Sequence, residues 1–123
     1  MEQDLFAQAQ RIATALRRLP GLRAVVLYGS VARGEERPGS DIDLFIILSQ
    51  KGQEQRVKET VYAHAAHATS LTLPVTEASK RLTLRDFFWR DIIEQGVILH
   101  DDGTYTRLRQ KALGKGRAVP VRR

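Results

Sequence analysis

Two aspartates, Asp41 and Asp43, stand two residues apart at the head of an apolar run, DIDLFIIL. Side chains alternate between faces along an extended strand, so both carboxylates fall on one face and Ile42 and Leu44 on the other. Like charges placed this way repel unless something neutralises them. Solvent does so at an exposed strand end. A hard divalent cation does it better, and Mg²⁺ takes a few carboxylates and completes its shell with substrate phosphates. Upstream, a second apolar run, LRAVVLY, delivers the chain into Gly29-Ser30. Glycine there permits a sharp turn and close approach to a ligand. The exposed backbone N–H groups and the Ser30 hydroxyl can hold phosphate oxygens. A phosphate cradle beside paired carboxylates suits phosphoryl or nucleotidyl transfer. Two other phosphate loops are excluded. Gly29 and Gly34 have the spacing of a Walker A loop, but Glu35-Glu36 stands where Lys-Ser/Thr is required, and no G-x-G-x-x-G occurs.

The stretch GSVARGEERPGSDIDL resembles the signature of the polymerase-β-like nucleotidyltransferase superfamily, in which a Gly-Ser turn precedes an Asp-x-Asp pair. The fuller pattern, Gly29, Ser30, Arg33, Gly34, Ser40, Asp41 and Asp43, is similar to that of the small stand-alone members called minimal nucleotidyltransferases. At residue frequencies of about 5–7% each, a chance match is on the order of one in a million.

The resemblance implies that Asp41 and Asp43 hold one or two Mg²⁺, and that Gly29 and Ser30 grip the β- and γ-phosphates of a nucleoside triphosphate, with ATP the family-level expectation. Gly34 and Ser40 belong to the same loop. Arg33 either contacts the triphosphate or pairs with Glu35, Glu36 or Asp41 to shape the loop. An acceptor then attacks the α-phosphate and pyrophosphate leaves. Active relatives usually carry a third carboxylate on a neighbouring strand. Leu71–Thr76, the strand in question, has no acid, which leaves Glu77 just beyond it as the nearest candidate. The other reading of Glu77 is a first-turn acid favoured by a helix dipole. The resemblance also implies a separately encoded all-helical HEPN partner, with this chain acting as an antitoxin that attaches AMP to its toxin. The alternative is a binding module that neutralises such a partner without transferring anything.

These residues need elements to position them. Asp4 precedes helical spacing at Leu5, Ala9, Ile12, Ala13, Leu16 and Leu19, which Pro20-Gly21 stops. Leu22–Tyr28 and Asp41–Leu48 read as buried strands, joined by a short helix or turn and a loop. Gln53–Ala68 reads as a surface helix with Val57, Val61, Tyr62 and Ala65 on one stripe. Leu71–Thr76 reads as a third strand, which Pro74 confines to an edge or a strand end. Thr83 with Asp86 forms a capping-box pattern before Leu84, Phe87, Phe88, Ile92 and Ile93. Val97–His100 is a fourth strand, and Thr104–Leu113 a last helix. The expected architecture is an α/β (α+β) fold, a mixed sheet of about four strands with helices packed against it. The nucleotidyltransferase domain is expected at 1–105, and a basic helix or tail at 106–123.

Composition bounds the rest. The chain has 123 residues, 42% of them hydrophobic, which supports one core. With no cysteine, there is no disulfide framework or thiolate chemistry. The longest apolar runs are five residues, far short of the roughly 18 that span a bilayer, and the acidic N-terminus lacks a signal-peptide core, so a cytoplasmic location is expected. The net charge of +6 is unevenly spread. Residues 106–123 hold seven Lys/Arg and no acid, leaving 13 basic and 14 acidic side chains in 1–105. Nucleic-acid contact is therefore open to the tail rather than to the body. A homo-oligomer is compatible with so small a core, though no interface stripe is visible. Phe87, Phe88 and Trp89 resemble a stacking platform for bases, but at helical spacing Phe87, Phe88 and Ile92 read as core and Trp89 as spare. His64 and His67 read as a solvated face, His100 with Asp101-Asp102 as a strand end entering a turn, and Lys80-Arg81 as a solvated pair.

Overall fold

The structure, a computed structural model, describes residues 4–84 and 86–114. Helix α1 (Leu5–Leu16) is capped by Asp4, whose carboxylate accepts from the Ala7 N–H, and it buries Ala9, Ile12, Ala13 and Leu16. Strand β1 (Leu22–Tyr28) runs into the five-residue helix α2 (Gly29–Arg33), and β2 (Ile42–Leu48) follows a loop. Helix α3 (Glu54–His64) crosses over to β3 (Ala68–Pro74). Then come α4 (Val75–Arg81), α5 (Phe87–Gln95), β4 (Val97–Asp101) and α6 (Thr104–Leu113).

The sheet order is β3-β2-β1-β4. β1 is antiparallel to β2 and β4, and β2 is parallel to β3. Alternation along the two central strands sorts their side chains into two cores. Val25, Leu27, Ile42, Leu44, Ile46 and Leu48 face α1 and α3. Ala24, Val26, Phe45 and Ile47 face α4, α5 and α6, where Phe45 meets Trp89 and Tyr105 edge-on at 5.3 and 6.3 Å. The mixed four-stranded sheet is as expected, with helices on both faces.

Several boundaries differ from those expected, each for a physical reason. β3 starts at Ala68 because parallel pairing with β2 satisfies its backbone from there, Ala68 opposite Ile42. Pro74 does end that strand, on a sheet edge. Thr76, expected in the strand, lies in α4. The cap of α5 is Asp86, which accepts from the Trp89 N–H, while the Thr83 hydroxyl donates to the Lys80 carbonyl. Tyr62 is 65% exposed rather than on the buried stripe. Trp89 is buried, and Phe87 and Phe88 are exposed, the reverse of the expected assignment. The division expected between residues 105 and 106 falls inside α6, whose Tyr105, Leu108, Ala112 and Leu113 pack into the second core. The rest of the basic tail, 115–123, lies outside the described residues.

Candidate active site

β1 and β2 are antiparallel, and their register sets Tyr28 opposite Asp43. On the other side β3 sets Thr69 opposite Asp43. Directly paired residues share a face, so Thr69, Asp43 and Tyr28 form one row across the sheet end, on the α5 side. The Thr69 hydroxyl donates to Asp43 Oδ1 at 2.6 Å. Asp43 is half-buried, and Asp41, just before the strand, is exposed with no hydrogen bond or ion pair among the described residues. Burial raises the pKa of the Tyr28 phenol above its ordinary value and the nearby Asp43 charge raises it further, while a hydrogen bond with Thr69 opposes both.

Gly29 adopts φ +79°, a left-handed conformation that favours glycine. A Cβ at this position would also collide with Asp43 Oδ2. The turn into α2 is thus folded directly over the carboxylate, and Ser30 follows it, half-buried. Gly34 serves a different purpose. At φ +71° it is the left-handed cap of α2, its N–H reaching the Val31 carbonyl at 3.2 Å. Ser40 closes the loop that follows, its Oγ accepting from the Arg37 N–H at 2.8 Å.

Arg33 makes one of the pairings that its loop-shaping reading names, with Glu35, and adds one to Asp91. Its Nε donates to Glu35 at 2.9 Å and its Nη1 reaches Asp91 of α5 at 3.2 Å, which ties α2 to α5. The hydrogen bond with Glu35 chiefly raises its pKa above the ordinary value.

Glu77 is not brought to this site. It sits in α4, after Pro74, and Pro74 pairs with Leu48 at the far end of β2. Leu48 is five residue steps beyond Asp43, about 17 Å along a strand. Glu77 is instead ion-paired with Arg81 at 2.9 Å, as its first-turn reading suggests. The residue directly opposite Asp43 on the neighbouring strand is Thr69. Sequence inspection missed Thr69 and Tyr28, because only the register reveals them.

Among the described residues no group of three His, Cys, Asp or Glu could hold a metal. Two carboxylates still fit Mg²⁺, which needs only one or two when phosphates supply further oxygens. Asp101 and Asp102 are otherwise engaged. Asp101 accepts from the N–H groups of Gly103, Tyr105 and Thr106 at the start of α6, and Asp102 accepts from Thr104 and Arg23. A cavity of about 940 Å³ lies between α1, the C-terminal end of α3 and the 34–40 loop, and Gly34, Ser40 and Ile42 are among the residues that line it.

A family model described as a nucleotidyltransferase domain matches residues 9–109, which bears out the resemblance drawn from Gly29–Leu44. A solved toxin–antitoxin structure with AMP-PNP matches at 17% identity and a TM-score of 0.58, covering 86% of this chain and 83% of that one. A tri-AMPylated HEPN toxin of Shewanella oneidensis in complex with MNT antitoxin matches at 16% identity and 0.57, over 90% and 84%. The toxin–antitoxin MntA–HepT matches at 17% and 0.56, over 88% and 83%. At such identities these likenesses are of fold. Comparison with curated proteins gives no match.

Proposed function

Because this chain belongs to the nucleotidyltransferase domain family, matched over residues 9–109, we propose that it transfers a nucleoside monophosphate, AMP from ATP, to an acceptor hydroxyl with the help of Mg²⁺. The observation that supports this reading is the Gly29 turn folded over Asp43 Oδ2, backbone of a kind suited to phosphate beside a carboxylate of a kind suited to a metal. Asp41 and Asp43 are the residues that would hold Mg²⁺. Bound there, the ion neutralises the two carboxylates and the polyphosphate and makes the α-phosphorus more electrophilic.

Gly29 and Ser30 receive the β- and γ-phosphates, and Gly34, Ser40 and the Arg33–Glu35 pair hold the loop in shape around them. The acceptor oxygen gives up its proton to solvent water and forms a bond to the α-phosphorus, the bond from that phosphorus to the bridging oxygen breaks, and pyrophosphate leaves. With Glu77 at the far end of the sheet, no described third carboxylate stands ready to take the acceptor's proton. A separately encoded helical HEPN-type protein is the proposed acceptor, supported by the fold likeness to toxin–antitoxin complexes, and the proposed setting is cytoplasmic.

Thr69 beside Asp43 favours a second reading, a nucleotide-binding module that neutralises its partner with little or no transfer. Incubation with radiolabelled ATP, Mg²⁺ and the partner separates the two. Label on the partner, lost in Asp41→Ala/Asp43→Ala, is the expected result. Equal neutralisation by wild type and double mutant without any label transfer would rule out the enzyme.

A further inference from the structure

Helix α5 buries Trp89, Ile92 and Ile93 yet leaves two consecutive aromatics of its first turn in solvent, Phe87 at 91% and Phe88 at 42% exposure. Phe88 is nevertheless held in place. Its ring meets Tyr28 edge-on at 5.4 Å and Trp89 edge-on at 5.0 Å. Tyr28 is the cross-strand partner of Asp43, and such partners lie about 5 Å apart. Tyr28 therefore links the Phe88 ring to the row of side chains that holds Asp43. The Arg33–Asp91 pair fastens α5 to the loop side of the same site.

The two flanks of this sheet end differ in chemistry. The β3 flank offers Thr69, exposed and polar. The α5 flank offers a fixed aromatic ring with an open neighbour. A nucleotide whose phosphates lie at Gly29 and Asp43 must send its ribose and base to one flank or the other, and a base gains by stacking on an aromatic ring whatever its identity.

We propose that Phe88, flanked by Phe87, is the base platform of the nucleotide site, and that it selects purine over pyrimidine nucleoside triphosphates by stacking area. This inference rests on the nucleotidyl-transfer reading and assigns the nucleoside half of that site. Stacking reads a π-face rather than an edge, so ATP and GTP bind nearly alike while CTP and UTP bind less tightly.

The test is calorimetry on the full chain with Mg–ATP, Mg–CTP and Mg–tripolyphosphate. Phe88→Ala is expected to weaken ATP binding roughly 5- to 150-fold and to leave tripolyphosphate binding unchanged, with Phe88→Trp restoring ATP affinity. Because Phe88 touches Trp89, the nearly fully exposed Phe87 provides a second variant that does not disturb packing. Phe87→Ala is expected to reduce ATP affinity by a smaller factor at unchanged melting temperature. Equal loss of ATP and tripolyphosphate binding in Phe88→Ala, or no loss of either, overturns the platform. So does retained ATP affinity in both variants with loss of partner-protein binding, which would make the aromatic pair a protein contact. Wild type binding neither ATP nor tripolyphosphate would instead defeat the nucleotidyl-transfer reading, and the platform with it.

Discussion

At the scale of single residues, the informative contact is the 2.6 Å hydrogen bond from Thr69 to Asp43. A hydroxyl there satisfies one carboxylate oxygen without adding charge. An aspartate in its place would put two like charges in direct cross-strand register, which destabilises a sheet in the absence of a counter-ion. Thr69→Asp also removes a hydrogen bond to a charged group, so the metal-free protein is expected to lose about 2 kcal/mol of stability. Mg²⁺ binding to the enlarged cluster should restore much of it, because a ligand bound only by the folded state stabilises that state. Thermal melts with and without Mg²⁺ check this. The variant should show a larger Mg²⁺-dependent rise in melting temperature than wild type, together with stronger label transfer. A variant that melts lower and ignores Mg²⁺ would show that the β3 side of Asp43 does not face a metal site.

At the scale of elements, helix termini account for most of what was legible and most of what was not. Leu22–Tyr28 and Thr104–Leu113 were read at their observed limits because local chemistry brackets them, Gly29 at φ +79° after the first and Asp101 with Asp102 before the second. The start of β3 is not legible because its first residues, Ala68-Thr69-Ser70, carry no apolar alternation. Their pairing with β2 supplies what the sequence does not display. The start of α6 also predicts a pH dependence. Burial raises the Asp102 pKa, but hydrogen bonds from Thr104 and Arg23 more than offset this and hold it down to about 2. An unfolded aspartate titrates near 3.9, so this group's contribution is fully present above about pH 4 and is lost as pH falls toward 2. Asp102→Asn is expected to lower the urea midpoint at pH 7, and the gap from wild type should close through pH 3. A gap that stays constant down to pH 2 would place the variant's cost in packing rather than in charge.

At the scale of the whole molecule, the sheet has two ends with different chemistry. The contiguous part of the site, Gly29 through Asp43, was legible because one strand–helix–loop–strand segment carries it. Thr69 and Tyr28 were not, since their place beside Asp43 depends on register across three strands. The choice between the two readings of Glu77 is not legible for the same reason, because a parallel β2–β3 pair carries the residues after β3 away from Asp43. Charge is distributed just as unevenly. Residues 1–105 net −1, and the site itself presents two carboxylates. Of the loop arginines, Arg33 is already neutralised by Glu35 and Asp91, and Arg37 lines the cavity between α1, α3 and the loop. A polyphosphate approaching Asp41 and Asp43 therefore meets like charge with little protein cation to offset it. Each such pair at 4 Å costs about 1 kcal/mol even in water, and about 4 kcal/mol near a protein surface. Nucleotide binding should accordingly need a divalent cation. Calorimetry in EDTA is expected to show ATP affinity at least tenfold below that in Mg²⁺, a loss of about 1.4 kcal/mol or more, with Mn²⁺ able to restore it. Asp41→Asn/Asp43→Asn should reduce this metal dependence, because the repulsion goes with the charges. ATP bound equally well in EDTA by the wild-type chain would mean that the phosphates do not lie against this carboxylate pair.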